Sequence, residues 1–260
     1  MGTQITMAST GRASALIVTS EAVGECTLLS AHGVLDNTTY LALRDKIIDA
    51  ALEEPKAVIV DVTDLLVPAE SAWLVFTSAR WHVGRWPEVP VALVCEHPAG
   101  RNAIVRSGVA RLVPAYPTID SAVDALSQTG TRQNRRRARA DLPAAESSLK
   151  RSREFVAQWL TAWSQTELIP VTKVVVTALV ENVLQHTDSG PRVRLETDRA
   201  AVTVAVEDSS HAPAGLREAT TANEAPSGLR IVSSLCRKWG NAPTSTGKTV
   251  WAVIGPENRL

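Results

Sequence analysis

An α/β fold in two domains is what the chain predicts, and three observations carry that prediction. Strands alternate with helices through the first half, where the run AVIVDV at 57 to 62 is continuous and rich in β-branched residues. A stretch with almost no apolar content, SQTGTRQNRRRARADLP at 127 to 143, then interrupts the pattern with five arginines between Arg132 and Arg139. Beyond it a long apolar helical segment is followed by the alternating strand AVTVAVEDSS. At 260 residues the chain accommodates two domains of ordinary size.

Each element follows from its local pattern. ALIVTSEAVGECTLLSAHGVLD reads as two strands around a turn at Gly24, and TTYLALRDKIIDAAL repeats apolar residues at helical spacing through Leu41, Ile47, Ile48 and Leu52. AVIVDV suits a strand covered on both faces. SAWLVFTSARWHVG is the next helix, VPVALVCEH another buried strand, and NAIVRSGVARLV and TIDSAVDAL are short helical stretches. Such alternation implies a βα sandwich. The arginine-bearing stretch cannot bury a core, so it reads as an exposed linker over 129–142, between domains at 1–128 and 143–260. No aromatic residues are interleaved with its arginines for base stacking, so direct nucleic-acid binding is not expected.

In the second half, TALVENVLQHT at 177 to 187 places Ala178, Asn182 and His186 on one helical face at one-turn intervals. Val175, Val176, Leu179, Val180 and Val183 form a separate stripe, so one side of the helix is buried while the Asn182 amide faces a cleft. An amide carbonyl there is a hard oxygen of the kind a magnesium ion takes. His186 is expected to be packed or hydrogen-bonded. AVTVAVEDSS ends at Asp208, SGLRIVSSLCRKWG at 227 to 240 reads as a second apolar helix, and GKTVWAVI at 247 to 254 follows it.

Composition narrows the function. The apolar fraction of 45% suffices for real cores, and 27 basic residues balance 27 acidic ones, leaving no electrostatic footprint for a nucleic acid or a membrane. No apolar run reaches the roughly 20 residues of a spanning helix, and MGTQITMASTGRAS has no apolar h-region, so a cytoplasmic location is expected. Three cysteines without C-x-x-C spacing suggest neither a disulfide framework nor a zinc site. No Ser/His/Asp or Cys/His arrangement follows from spacing, which argues against a hydrolase.

The order of elements over about 13 to 126, with GVLD before the first helix and Asp61 ending the third strand, resembles a STAS domain of the anti-sigma-factor-antagonist type. In that family a phosphorylated serine follows an aspartate at the start of the helix after the third strand, and the motif falls here on Ala69, Glu70, Ser71 and Ala72. The resemblance therefore puts Glu70 at the phosphoacceptor position, where a carboxylate cannot accept phosphate. Glu70 reads either as helix-terminus stabilisation, worth a few tenths to about 1 kcal/mol, or as a fixed mimic of phosphoserine. Ser71 is the neighbouring candidate acceptor, with an N-cap oxygen as its other role.

Residues 143 to 260 resemble the GHKL (Bergerat-type) ATP-binding α/β sandwich of the anti-sigma-factor serine kinase branch, through four boxes in order: VENVLQH, VEDSS, SGLR and GKT. The resemblance implies that Asn182 holds magnesium through bound ATP, that Asp208 accepts from the adenine amino group, that Gly228 opens a phosphate-binding helix start, and that Thr249 lies near adenine. Lys248 is read as solvated, and the polar segment 211 to 226 as a lid over the nucleotide. The family's catalytic glutamate position is occupied by Ala178, and Glu181 points about 100° away from Asn182. A methyl group cannot take a proton. A general base contributes roughly 10²- to 10⁴-fold, so Ala178→Glu is expected to raise turnover within that range if the pocket is otherwise intact.

The resemblances together imply an ATP- and Mg²⁺-binding regulator of partner switching that governs a sigma factor or related transcription regulator by protein binding, with weak or absent kinase activity. The alternative is an active serine-protein kinase, an anti-sigma factor acting on a separate STAS antagonist. Expected partners are a sigma factor or an anti-sigma or STAS regulatory protein, with homo-oligomers possible and no membrane contact.

Overall fold

The computed structural model describes residues 15–127, 135–198, 200–212 and 228–259. The first unit runs β1 (Leu16–Val23), β2 (Cys26–Val34), α1 (Tyr40–Leu52), β3 (Val58–Asp61), β4 (Leu65–Leu66), a 3₁₀ turn (Glu70–Trp73), α2 (Leu74–Arg85), β5 (Val91–Val94), α3 (Pro98–Arg106), β6 (Ala115–Tyr116) and α4 (Ile119–Ser127). Its sheet has the order β1-β2-β3-β5-β6, with β4 also beside β2. β1 is antiparallel to β2, and the other pairs are parallel.

Helices on both faces explain why β3 and β5 are continuous apolar runs. On one side Leu43, Ile47 and Ile48 of α1 pack with Val75, Phe76 and Ala79 of α2 against Val58, Val60 and Leu93. On the other, Ala122 and Leu126 of α4 cover Cys26, Leu28 and Ile59. Leu41, which the helical spacing assigns to the apolar stripe, is exposed. Two residues along a helix are about 200° apart, so once Leu43 joins Ile47 in the core, Leu41 must face outward.

The second unit comprises β7 (Arg136–Asp141), α5 (Ser147–Ala162), α6 (Ile169–His186), β8 (Arg192–Thr197), β9 (Val202–Asp208), α7 (Gly228–Leu235), β10 (Lys238–Thr244) and β11 (Gly247–Ile254). Its strands pair antiparallel in the order β10-β11-β9-β8-β7. The inner face, carrying Val193, Leu195, Val204, Val206, Val250 and Ala252, packs on Val156 and Leu160 of α5, Val175, Val176 and Leu179 of α6, and Leu229 and Val232 of α7.

Two sequence expectations change here. Residues 136–141 are not linker but an edge strand, with Arg137 opposite Glu196 and Arg139 opposite Arg194, so the second unit begins before residue 143. The remainder of the expected linker, 128–134, lies outside the described residues. Strand alternation is the reason: Ala138 enters the inner core while Arg137 and Arg139 face the other way, a pattern hidden by a composition poor in apolar residues. The helix expected over 227–240 ends at Leu235, and Lys238–Thr244 pairs with β11 instead. Gly240 makes that pairing possible, because a Cβ there would sit 2.7 Å from the Trp251 indole.

The outer face of the second sheet is covered by the first unit. Ala205, Ala242, Trp251 and Val253 belong to the same apolar cluster as α1 and α2, and the Trp86 and Trp251 rings lie 6.0 Å apart at 32°. The molecule is thus layered: α4, first sheet, α1 with α2, second sheet, then α5 to α7. Charge complements this apolar contact. Asp49 of α1 accepts from Ser245 N at 3.1 Å, Arg139 meets Glu53 at 3.0 Å, and Glu88 pairs with Lys238 at 3.1 Å and Arg135 at 3.4 Å.

Candidate functional site

Position 70 lies beyond the C-terminal end of β3, on the side where parallel strands of α/β sheets present their loops. Asp61 shapes that end by accepting from Thr63 N at 2.9 Å and Thr63 Oγ1 at 2.6 Å, and Thr63 Oγ1 in turn accepts from Glu96 N after β5. Ala69 is extended, and the 3₁₀ turn starts at Glu70 with no side-chain cap. Ser71 is exposed inside that turn rather than ahead of it, so it does not act as the N-cap. The Glu70 carboxyl is 66% exposed and meets Arg106 Nε of α3 at 3.4 Å. Leu66, Leu74 and Val105, from the same stretches of chain, are exposed apolar residues.

In the second unit, Ala178 is buried on α6, and Gly228 opens α7 directly against it. A Cβ at 228 would lie 3.4 Å from the Ala178 Cβ and 3.3 Å from its carbonyl oxygen. Small residues at both positions therefore let the two helices approach. Asn182, one turn further along α6, is half-buried. Asp208 ends β9 with its side chain 0% exposed, and Lys248 stands directly opposite it on β11. Lys248 Nζ donates to Asp208 Oδ1 at 3.0 Å, and Ser210 N donates to the same oxygen at 2.7 Å. Asp208 Oδ2 is buried with no hydrogen-bond partner.

Lys248 is thus not solvated: its side chain is 6% exposed and points inward with Val250 and Ala252. Thr249 faces the opposite side of the sheet, in one row with Glu207 and Ala242. GKTVWAVI is apolar at five successive positions, so its sequence alone does not say which face residue 248 takes. His186 is exposed at the end of α6, not packed, and with Thr187, Asp188, Ser189, Ser209 and Ser210 it borders an open cleft of about 470 Å³. Residues 213–227, which include most of the expected lid, lie outside the described residues.

The residues present are compatible with the group the resemblance implies. An orphaned, buried carboxylate oxygen calls for a hydrogen-bond donor, and an exocyclic amine is one. Asn182, half-buried on α6, carries an oxygen of the kind magnesium takes alongside nucleotide phosphates. Among the described residues no group of three or more His, Cys, Asp or Glu is placed to hold a metal by itself.

Residues 18–122 match the STAS domain family model. Solved structures similar to this chain include an anti-sigma factor antagonist from Mycobacterium paratuberculosis, at 23% identity and TM-score 0.39 over 44% of this chain and 96% of that one. The anti-sigma factor antagonist SpoIIAA in its unphosphorylated form follows at 18% identity and TM-score 0.36, over 44% of this chain and 100% of that one. RsbS of Moorella thermoacetica matches at 16% identity and TM-score 0.36, over 42% and 94%. No curated protein matches. No helix among the described residues is long and apolar enough to cross a membrane.

Proposed function

We propose that this chain is a partner-switching regulator in which a STAS domain, joined to a GHKL-type ATP-binding domain, acts by protein association rather than phosphoryl transfer. The observation that supports the reading most is Glu70: a carboxylate stands exposed where the STAS resemblance expects a hydroxyl, with apolar Leu66 and Leu74 close in the chain. A carboxylate carries one negative charge against the ≈ −1.5 to −2 of a phosphoserine and cannot be cleared by a phosphatase. The STAS surface is accordingly held in one signalling state. Its partner is an anti-sigma or STAS regulatory protein, or the sigma factor itself.

In the second domain Asn182 would contribute an oxygen to magnesium, Asp208 Oδ2 would accept from adenine, and the α7 start at Gly228 would face phosphate; ATP supplies the charge and shape that order this face. Ala178 has no proton-accepting group and is wedged against Gly228, which supports nucleotide binding without turnover. The test uses the full chain. Mg-ATP titration should alter tryptophan fluorescence and partner capture, Asp208→Asn and Asn182→Ala should abolish both responses, and radiolabel should not pass to a STAS substrate. Turnover at the ~1 to 100 s⁻¹ of ordinary kinases would overturn the reading.

A further inference from the structure

Four strands end the two sheets, and three of them are blunted as exposed sheet edges usually are. β6 is two residues long, β7 carries Arg136, Arg137 and Arg139, and β10 carries Lys238 and Pro243. β1 has none of these devices: LIVTSEAV runs eight residues with no proline, no basic residue and a single charge, Glu21. Ile17 on this strand is 62% exposed. An edge left long and largely apolar is a template for a further strand.

The backbone of β1 fixes which residues would receive it. Val34 N donates to Ala15 O, so in the antiparallel ladder the odd positions direct their N–H and C=O groups at β2. Leu16, Val18, Ser20 and Ala22 therefore turn theirs outward, where no strand among the described residues meets them. Beside that edge a groove of about 420 Å³ lies between Leu16 and Val18, Ala42, Asp45 and Lys46 of α1, and Ser245 at the β10–β11 turn. Leu16 and Val18 pack against the core cluster that holds α1, so even-numbered side chains of β1 share the groove's side and odd-numbered ones take the other.

We infer that β1 is a dimerisation edge, at which a second copy of this chain adds its own β1 antiparallel about a twofold axis through Thr19. The strand is its own complement in that register. Leu16 stands opposite Ala22 of the second copy and Val18 opposite Ser20, a large side chain beside a small one on the groove side, and every outward backbone group from Leu16 to Ala22 finds a partner. On the other side Ile17 stands opposite Glu21 and Thr19 opposite Thr19, so the stem of the glutamate covers the exposed isoleucine. Glu21 is the strand's only charge and lies off the axis, so no like charges face each other. An axis through Val18 or Ser20 instead leaves Ala22 or Leu16 beyond the end of the partner strand. A single strand pair is a small contact, of the weak and concentration-dependent kind. It requires neither nucleotide nor a partner at Glu70.

The test is sedimentation velocity of the full chain over a range of concentrations, together with cysteine cross-linking. The wild type should move from one chain toward two as concentration rises. Val18→Pro removes an outward N–H that β2 does not use, and should abolish the dimer while keeping the folded circular dichroism spectrum. Thr19→Lys, at an exposed position, sets two ammonium groups across the axis and should do the same. Thr19→Cys should cross-link under mild oxidation, because residues facing each other in a non-hydrogen-bonded pair lie about 4.5 Å apart, within disulfide reach. Glu21→Cys, off the axis, should not, and neither should the wild type, whose Cys26 and Cys95 are buried. A chain that stays single up to ~1 mM overturns the inference and leaves the edge to another segment or another protein. A dimer that survives both Val18→Pro and Thr19→Lys uses a different face and overturns it too, and so does cross-linking at position 21 as fast as at position 19.

Discussion

The two faces of the second sheet each bury charge, and they do it differently. On the inner face Asp208 has one lysine and one backbone donor, and its second oxygen is left over. On the outer face Glu54 and Glu196, one from each domain, lie within a cluster of arginines: Glu54 pairs with Arg137 and Arg194, and Glu196 Oε2 lies 3.7 Å from Arg135. A buried carboxylate oxygen without a donor has room for one more hydrogen bond, whereas carboxylates set among arginines already have their charge balanced. Burial of charge alone therefore does not mark a binding site. The surroundings of the unsatisfied atom decide between recognition and assembly.

The comparison breaks most visibly where each face depends on one side chain. Trp251→Ala removes the largest fully buried residue, which joins the outer face to Trp86, and should cost about 3 to 5 kcal/mol in urea unfolding. Lys248→Met strands the Asp208 carboxylate on the inner face and should also cost about 3 to 5 kcal/mol. Adding Asp208→Leu should recover most of that loss, because the double variant has no unpaired buried charge; a loss equal to the sum of the single variants would deny the pair its role.

Ala178→Glu is a smaller perturbation with a revised expectation. The sequence alone predicts a gain in turnover, but the position is packed on Gly228, so overpacking should cost about 1 to 3 kcal/mol with no gain in ATP hydrolysis. A rise in hydrolysis with unchanged stability would show that α7 yields and that the inner face lacked only its base. Least affected should be Arg139→Ala, whose partner Glu53 is 68% exposed: the change in unfolding free energy should stay within about 1 kcal/mol and shrink further in salt.

Much of the first domain was legible in the sequence, since β3 and β5 are continuous apolar runs and α1 and α2 repeat at helical spacing. In the second domain the long α6 and the alternating β9 were equally plain, with Asp208 at its strand end. Strand β7 was not, because arginine on every second residue reads as solvated until acidic partners appear across an interface. Lys248 was misread for the same reason: a lone lysine gives no sign that a buried aspartate stands opposite on the next strand.

The sequence by itself determined the alternation of elements, the absence of a hydroxyl at position 70 and of a base at position 178, because these depend on local spacing and on which atoms a side chain carries. Only the tertiary structure decided that the arginine run is a strand, that Thr249 and Lys248 face opposite sides of the sheet, and that Glu54 meets Arg137 and Arg194. Those outcomes depend on pairs 40 to 142 residues apart in the chain, as with Lys248 and Asp208 or Arg194 and Leu52. Burial and charge are properties of the pair brought together, and a residue's own chemistry leaves its distant partner undetermined.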